Sequence, residues 1–211
     1  MKKNNVDYIK MNRNLSDVAK GVRVKPGTEE SGIENKGMIH VYYGDGKGKT
    51  TAAVGLSARV AGHGRCVVFA QFLKGRKTGE LNSLIKMDIR VVRSEDNKRF
   101  CWEMKDEEKE DCRVIQTKLL DEIVQIIQGA ESDTKVDVLI LDEALNALAN
   151  GMLDEKKLRD FIIQKPKGLE IVLTGFSAPE WLFEMADYVT EMKKHKHPFD
   201  SEINGREAIE Y

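Results

Sequence analysis

Residues 44–51 read Gly-Asp-Gly-Lys-Gly-Lys-Thr-Thr, and the interpretation of the whole chain starts from this stretch. It is close to the phosphate-binding pattern G-x-x-x-x-G-K-[ST], in which four residues separate the glycines. Here only three residues separate Gly44 from Gly48, and Tyr43 occupies the position of the first glycine. The loop is one residue short. It is therefore either a damaged nucleotide site or a site that holds its nucleotide differently.

The loop lies between a predicted strand, MIHVYY (38–43), and a predicted helix, TTAAVGLSARVAG (50–62), with Gly62 placed to cap its end. Glycines let the backbone turn so that several N–H groups point at an anion. The helix N-terminus and Lys49 add positive charge, and Thr50 offers a hydroxyl to Mg²⁺. A glycine-rich turn with solvated lysines is the alternative, but the strand–loop–helix context favours a nucleotide site. The predicted ATP-binding residues of the loop are Gly44, Asp45, Gly46, Lys47, Gly48, Lys49, Thr50 and Thr51.

Strand and helix patterns alternate along the rest of the chain. Further strands are predicted from CVVFAQF (66–72), IRVVR (89–93), VDVLILDEA (136–144), LEIVLTG (169–175) and DYVTEM (187–192). Helices are predicted over 106–128, over 155–164 after a cap at Asp154, and from a capping box at Ser177–Glu180 to about Ala186. The alternation predicts an α/β fold with a mostly parallel central sheet and helices on both faces.

Composition and charge narrow the class of protein. The chain has 211 residues, 33% charged and 41% hydrophobic, which is typical of a soluble globular protein. A net charge of -1 argues against nucleic-acid partners, and no apolar run is long enough to span a membrane. Neither a signal peptide nor a disulfide or zinc spacing is present, so we expect a cytoplasmic protein. Residues 1–36 are predicted to be a flexible arm, and residues 37–211 a nucleotide-binding catalytic domain.

An acidic pair, Asp142 and Glu143, closes the most apolar of the predicted strands. Open α/β sheets bind their ligands at the carboxyl ends of the strands. An acidic residue there can hold Mg²⁺ directly or through water. Alone this is weak evidence, because a strand also ends in an acid simply on reaching solvent. Together with the loop, it predicts ATP with Mg²⁺, the metal being held by Thr50, Glu143 and Asp142.

The histidines do not form a clear metal site. His195 and His197, in KKHKHPFD, would point to one side of an extended chain and suggest a metal. No third ligand is nearby, so contacts with solvent or substrate are favoured. His40, in a strand, and His63, in a Gly-His-Gly turn, are interpreted as structural.

The segment RFCWEM places Phe100 and Trp102 two residues apart, in a polar stretch after a predicted strand. They either anchor the core or are presented to a flat ligand, and the residues alone leave both alternatives open. No Ser-His-Asp arrangement or G-x-S-x-G turn is legible. These patterns therefore do not decide what the ATP is used for.

Several segments match one family in order: GDGKGKTTAAVGLSARVAGHG, QFLKG…TGE, FCW, LDEALNAL, LTGFSAPE, ADYVTEMKKHKHPFD and the terminal IEY. In these the chain resembles the ATP:corrinoid adenosyltransferases of the cob(I)alamin type, the P-loop class, from about Gly37 to Tyr211. The resemblance implies a RecA-like P-loop fold. Members of the family carry the same shortened loop, understood to seat ATP with its triphosphate reversed, which exposes the ribose C5′ carbon.

The resemblance implies that Co(I) of a corrinoid attacks C5′ of ATP and expels tripolyphosphate, in adenosylcobalamin biosynthesis or salvage. Because cobalt is itself the nucleophile, the enzyme needs no general base. The protein must instead hold a polyanionic leaving group and Mg²⁺, a catalytic role that falls to Lys49, Thr50 and Glu143. Arg59 and His197 match positions that look like phosphate contacts.

The resemblance also implies partners. Phe100 and Trp102 match an aromatic pair that binds the corrinoid beside its lower face. There the pair displaces the axial ligand and leaves four-coordinate Co(II), which is easier to reduce. The N-terminal arm resembles a segment that closes over the active site. A homodimer and a reducing protein, such as a flavodoxin-like electron donor, are expected, with no nucleic-acid or membrane partner.

Two departures from the family pattern leave alternatives open. The family's T-G-R-G is T-G-F-S at 174–177, so an arginine is absent, and the tail at 204–211 differs from K-A-Q-x-G-I-E-[FY]. Lys47 or Arg206 would have to replace the missing phosphate contact. The alternatives are an ordinary ATPase or small-molecule kinase, against which the short loop argues, and a catalytically weakened corrinoid or nucleotide sensor.

Overall fold

The structure is a computed structural model that describes residues 36–75, 78–94, 104–129 and 135–210. Six strands form one sheet in the order β3-β2-β4-β5-β1-β6, and every neighbouring pair is parallel. The strands are β1 Ile39–Tyr43, β2 Val67–Gln71, β3 Arg90–Arg93, β4 Val138–Asp142, β5 Glu170–Thr174 and β6 Tyr188–Glu191. The predicted α/β fold is confirmed. Apart from Lys36, the predicted arm lies outside the described residues.

Helices connect most of the strands. They are α1 Lys49–Gly62, α2 Glu80–Lys86, α3 Asp106–Ile127, α4 Ala144–Ala149, α5 Glu155–Ile163 and α6 Glu180–Met185, with a 3₁₀ turn at Pro198–Ser201. The sequence patterns predicted α1, α3, α5 and α6. They missed α2 and α4, whose seven and six residues are too few to show a helical repeat. No described helix has the length and apolar character needed to cross a membrane.

Two predicted helix ends are wrong in detail. The capping glycine of α1 is Gly64, which has a φ of 71°, whereas Gly62 is the last helical residue. No capping box forms at Ser177, because α6 begins at Glu180, directly after Pro179. The ring of Pro179 already fixes a φ near -72°, and no side chain caps the helix.

Helices cover both faces of the sheet. On one face Leu141 belongs to a buried cluster with Ile123 of α3, and on the other Ile140 belongs to one with Ala53 of α1 and Leu84 of α2. All five residues of β2 and all five of β4 are buried. Central strands of a parallel sheet are covered in this way, which explains why VLIL reads as a continuous apolar run.

The parallel arrangement brings the carboxyl ends of neighbouring strands to one edge. Gln71 at the end of β2 is in register with Asp142 at the end of β4, and Tyr42 of β1 is in register with Thr174 of β5. The glycine-rich loop follows β1 at the same edge. Ligands of open α/β sheets bind at this edge. The fold therefore places the loop and the acidic pair side by side.

Candidate functional site

The loop of residues 44–48 packs against the backbone that follows β5 and β6. The N–H of Gly44 donates to the carbonyl of Phe176 at 3.0 Å, and the N–H of Gly46 donates to the carbonyl of Met192 at 2.6 Å. Gly44 has a φ of 114°, and a Cβ there would lie 2.5 Å from the Met192 oxygen. Both the conformation and the space exclude a side chain at Gly44. The loop is thus held from two sides before α1 begins.

Lys49, the first residue of α1, places its charge inside the loop. Its Nζ donates to the carbonyls of Gly44 and Gly46, each at 2.7 Å. Burial lowers the pKa of Lys49, and the attraction of Glu143 and Asp45 opposes that effect. A partly desolvated ammonium attracts an anion more strongly than one in water. Lys49 is therefore positioned to bind a phosphate chain that enters the loop.

Asp142 is the centre of a buried polar cluster. Its side chain is 0% exposed. Its Oδ1 accepts from Thr50 Oγ1 at 2.9 Å and from Thr174 Oγ1 at 2.7 Å, and its Oδ2 accepts from Lys74 Nζ at 2.7 Å. These contacts join the start of α1, the ends of β4 and β5, and the segment after β2. The structure thus brings together Thr50 and Asp142, two of the predicted metal ligands.

Lys74 is a site residue that the sequence analysis did not predict. It stands in QFLKG, three residues beyond β2, and also lies 3.2 Å from Thr50 Oγ1 and 3.7 Å from Glu80 Oε1. Burial alone would lower the pKa of Lys74, but the attraction of Asp142 and its hydrogen bond outweigh burial and raise the pKa. The sequence did carry a signal for Lys74: a lysine just past the carboxyl end of a predicted strand, in the QFLKG segment on which the family resemblance partly rests.

Glu143 follows Asp142 in a left-handed backbone conformation, with a φ of 62°. Its N–H donates to Thr174 Oγ1 at 2.9 Å, and its side chain accepts from Asn146 Nδ2. Burial and the neighbouring charge of Asp142 raise the pKa of Glu143, while Lys74, Asn146 and Lys49 oppose the shift. Non-glycine residues in this conformation cluster at functional sites. The positive φ of Glu143 thus lies at the junction between β4 and α4.

The oxygen atoms at this edge suit a magnesium ion. A hydroxyl and two carboxylates, from Thr50, Asp142 and Glu143, are ligands of the kind that Mg²⁺ prefers. Within the described ranges, no group of three or more His, Cys, Asp and Glu side chains forms a metal site by itself. Mg²⁺ at nucleotide sites commonly takes one or two carboxylates and completes its shell with substrate phosphates and water. The donor set fits such a partial site.

The C-terminal turn lies against the loop from outside. Lys47 Nζ donates to Glu210 Oε1 at 2.8 Å and to the carbonyl of Ile209 at 3.3 Å. Arg206 binds the same carboxylate through Nε and Nη2. Arg206 and Lys47 together hold the pKa of Glu210 well below its usual range. The two residues expected to replace the absent arginine are therefore adjacent, with a carboxylate between them.

Other predicted site residues lie on α1, at the 3₁₀ turn or outside the described residues. Thr51 is exposed on α1, and Arg59 lies in the last turn, ten residues after Lys49, which is about 15 Å along the helix axis. His197 caps the 3₁₀ turn by accepting from the Phe199 N–H. Burial raises the pKa of Tyr42, and the charge of Arg59 opposes that shift. The predicted corrinoid residues fall outside the described residues: Phe100 and Trp102.

Asp45 and the substituted T-G-F-S segment line the rim of the loop. The Asp45 carboxylate accepts from the Lys194 N–H at 2.8 Å and so ties the loop to the chain after β6. Phe176, where the family pattern has an arginine, is 61% exposed. Its N–H donates to Asn146 Oδ1 at 2.6 Å, and its carbonyl accepts from Gly44. The backbone at this position supports the loop whatever side chain it carries.

The chain is similar to known proteins in sequence and in structure. A corrinoid adenosyltransferase of Escherichia coli strain K12 is 30% identical over 181 residues, covering 84% of this chain and 87% of that protein. One from Sinorhizobium is 34% identical over 181 residues, covering 84% and 82%. In structure, the chain is similar to ATPases 2 and 3 of EssC from Geobacillus thermodenitrificans. That likeness has a TM-score of 0.45 and 18% identity, and covers 82% of this chain and 35% of that one.

The family comparison covers every residue beyond the predicted arm. A family model described as ATP:corrinoid adenosyltransferase BtuR/CobO/CobP matches residues 35–211. The match includes the short loop, the lysine-bearing segment after β2, the acidic end of β4 and the C-terminal turn. The chain therefore belongs to the ATP:corrinoid adenosyltransferase BtuR/CobO/CobP family.

Proposed function

We propose that the protein transfers the 5′-deoxyadenosyl group of ATP to Co(I) of a corrinoid and releases tripolyphosphate, with Mg²⁺ bound beside the phosphates. The observation that carries this proposal is the short loop, held against the chain after β5 and β6 with Lys49 inside it. Family membership supplies the chemistry: a corrinoid accepts the group and ATP donates it.

The main task of the protein in this reaction is to stabilise the negative charge of the leaving group. The cobalt(I) electron pair forms the Co–C5′ bond while the C5′–O bond breaks, and that bond's electrons leave with the three phosphates. Lys49 stabilises the charge that develops on the departing oxygen, together with loop N–H groups other than those of Gly44 and Gly46, which donate to protein carbonyls. Mg²⁺, held by Thr50, Glu143 and Asp142, would neutralise further phosphate charge. No residue has to remove a proton.

The corrinoid side of the proposal rests on Phe100 and Trp102, which we assign to the lower face of the corrin ring. Replacing both with alanine should slow the reaction chiefly when it starts from Co(II) and a reductant. Chemically generated Co(I) should restore much of the rate. Equal loss from both cobalt states would refute the assignment and favour an anchoring role in the core.

We also propose that the protein works in the cytoplasm as a homodimer and receives its electron from a reducing protein such as a flavodoxin. Sedimentation equilibrium would reveal the dimer directly. Reduction of the bound corrinoid by flavodoxin, measured from the cobalt absorption bands, would test the electron donor. A monomer under assay conditions, or Co(II) that flavodoxin does not reduce, would contradict the corresponding part of the proposal.

Product analysis tests the central claim. With ATP, Mg²⁺ and reduced corrinoid, we expect adenosylated corrinoid and intact tripolyphosphate in equal amounts, and nearly stable ATP when corrinoid is left out. Rapid release of ADP and phosphate without corrinoid would instead indicate an ATPase, since phosphoryl transfer breaks the β–γ bond. Tight binding of both ligands without turnover would indicate a sensor, to which the exposed Phe176 would then be relevant.

A further inference from the structure

Lys74 occupies a position that a metal ion bound by the proposed ligands would also need. Its Nζ lies 2.7 Å from Asp142 Oδ2 and 3.2 Å from Thr50 Oγ1. Both residues belong to the set proposed to hold Mg²⁺. An ammonium and a divalent ion cannot both bind these oxygens tightly, because the two positive charges would then repel each other from only a few ångströms apart. The lysine and the metal therefore compete for one set of oxygen atoms.

Asp142 requires a cation in either case. Its side chain is fully buried, and the two hydroxyls that donate to Oδ1, from Thr50 and Thr174, are neutral. Leaving one member of a buried ion pair without its partner is strongly destabilising. The competition thus has two stable outcomes for Asp142: pairing with Lys74 or binding to a metal ion.

The ammonium has a second position within reach. Glu80 Oε1 is 3.7 Å from Lys74 Nζ, and Gln71 Nε2 donates to the same Glu80 oxygen at 3.0 Å. Among the described residues, Gln71 Oε1 is one of two buried side-chain atoms without a hydrogen-bond partner. Glu80 therefore provides an acceptor for the displaced ammonium.

The backbone at Lys74 can stay fixed while the charge moves. Its carbonyl accepts from Arg93 Nη2 at 2.5 Å, and the N–H of the preceding residue, Leu73, donates to the buried Gln116 at 3.1 Å. A lysine has a flexible four-carbon stem, so its ammonium can shift without movement of the main chain. The exchange therefore needs only a change of side-chain rotamer.

We propose that Lys74 is a built-in counter-cation of the metal site, which pairs with Asp142 until a divalent ion displaces it towards Glu80. The inference rests on the proposed function in naming Mg²⁺ as the natural ion. Its physical consequence is that Lys74 suppresses divalent-ion binding in the absence of nucleotide, because an ion must first displace the ammonium. The triphosphate of ATP supplies additional ligands and negative charge that favour the exchange.

Binding of Mn²⁺, followed by electron paramagnetic resonance without nucleotide or corrinoid, tests this exchange directly. We expect Lys74→Met to bind Mn²⁺ at least about tenfold more tightly than the unmodified protein, because a competing charge is gone. In EDTA the variant should have a lower Tm than the unmodified protein, and Mn²⁺ should raise its Tm by more. Equal Mn²⁺ affinity in the two proteins would overturn the proposal.

Two control variants separate the effect from a general loss of charge. Lys157→Met breaks an exposed ion pair with Asp121, which is 2.8 Å long, and should leave Mn²⁺ affinity unchanged. Lys74→Met combined with Asp142→Asn removes both charges and should lose the gain in Mn²⁺ affinity.

A Lys74→Met chain that folds only with excess Mg²⁺ supports the proposal. One that folds in neither condition contradicts it, because the ion would not then replace the ammonium.

The outcome is separable from that of the proposed function, since neither Mn²⁺ binding nor Tm depends on turnover. A protein that shows the exchange but makes no adenosylated corrinoid would refute the proposed function alone. A protein that makes adenosylated corrinoid but binds Mn²⁺ equally with and without Lys74 would refute this inference alone.

Discussion

Two lysine–carboxylate pairs adjoin the loop of residues 44–48, and their N–O distances are almost equally short. Lys74 lies 2.7 Å from Asp142, and Lys47 lies 2.8 Å from Glu210. Their surroundings differ, however. The side chains of the first pair are 21% and 0% exposed, and those of the second are 46% and 22% exposed. In the first pair, Asp142 also accepts hydrogen bonds from two threonine hydroxyls. In the second pair, Glu210 accepts from Lys47 and from Arg206 of the C-terminal turn.

The comparison shows that bond length does not determine what an ion pair contributes. In the Lys74–Asp142 pair, charges interact largely through protein, so loss of one partner leaves the other uncompensated. In the Lys47–Glu210 pair, water and salt screen the charges, and such pairs contribute little. We infer that Asp142 and its threonine partners are held in place before ligands arrive, although Lys74 must still be displaced when a metal ion binds. The tail side can exchange its carboxylate for other anions.

The largest effect is expected at Lys49, the charge inside the loop. Lys49→Ala should lower kcat/KM for adenosyl transfer by at least about a hundredfold, because a partly buried cation that binds the leaving group is lost. The rate of adenosylation from chemically generated Co(I) measures this without the reduction step. Lys157→Ala, at an exposed pair, serves as the control and should retain full rate. Full activity in Lys49→Ala would contradict the placement of phosphates in the loop.

The next effect concerns stability and compares two aspartates directly. Breaking a buried ion pair costs about 3–5 kcal/mol. Lys74 is 21% exposed, so we expect Asp142→Ala to lower the free energy of unfolding by about 2–3 kcal/mol. Asp121→Ala removes the partner of exposed Lys157 at 2.8 Å and should cost about 1 kcal/mol or less. Urea unfolding in EDTA measures both. Equal losses would abolish the distinction between buried and exposed pairs.

The sequence was sufficient to predict the loop, the acidic strand end and the alternation of strands and helices, because each is a local pattern. The β1–loop–α1 unit spans consecutive residues, and the continuous apolar run in β4 follows from burial on both faces. The resemblance to the family then predicted the reaction, which these local patterns did not. These features needed no knowledge of which strands are neighbours.

The role of Lys74 could not be predicted in the same way, because it depends on strand order. Lys74 and Asp142 are 68 residues apart and meet only because β2 pairs with β4. The pattern of the chain predicts parallel strands but not which pairs are adjacent. Glu143 shows a second limit: its backbone adopts a left-handed conformation, and nothing in LDEA indicates a positive φ.

Glu143 should show the opposite sign from Asp142 in a stability measurement. Burial and the charge of Asp142 raise the pKa of Glu143, so its ionised form is disfavoured in the folded protein. Glu143→Gln should therefore raise Tm at neutral pH, by a few degrees if about 1 kcal/mol is gained. Adenosylation should fall in the same variant because a proposed metal ligand is lost. A lower Tm would contradict the inference that the charge of Glu143 destabilises the folded protein.

The pH dependence gives this prediction a definite direction. The folded protein binds a proton at Glu143 more readily than the unfolded chain, whose carboxyl has a pKa near 4.5. Stability contributed by this group is therefore lost as pH rises from about 4.5 through the raised folded pKa. The advantage of Glu143→Gln should grow over that window and disappear below it. Unfolding at a series of pH values, compared between the two proteins, measures the difference.

The smallest effect is expected from the exposed pair at the tail. Glu210→Gln removes the carboxylate that Lys47 and Arg206 share, but water already screens these charges. We expect no measurable change in Tm. The KM for ATP should fall by less than about fivefold, because Lys47 becomes available to phosphate, with kcat unchanged. Raising the salt concentration should reduce the difference, since the Debye length falls from about 10 Å at 0.1 M to about 3 Å at 1 M. Glu207→Gln, an exposed glutamate in the same turn, is the matched control and should change neither KM nor its salt dependence. A large loss of stability in Glu210→Gln would mean that the tail pair is as structural as Lys74–Asp142, and the contrast between the two sides of the site would fail.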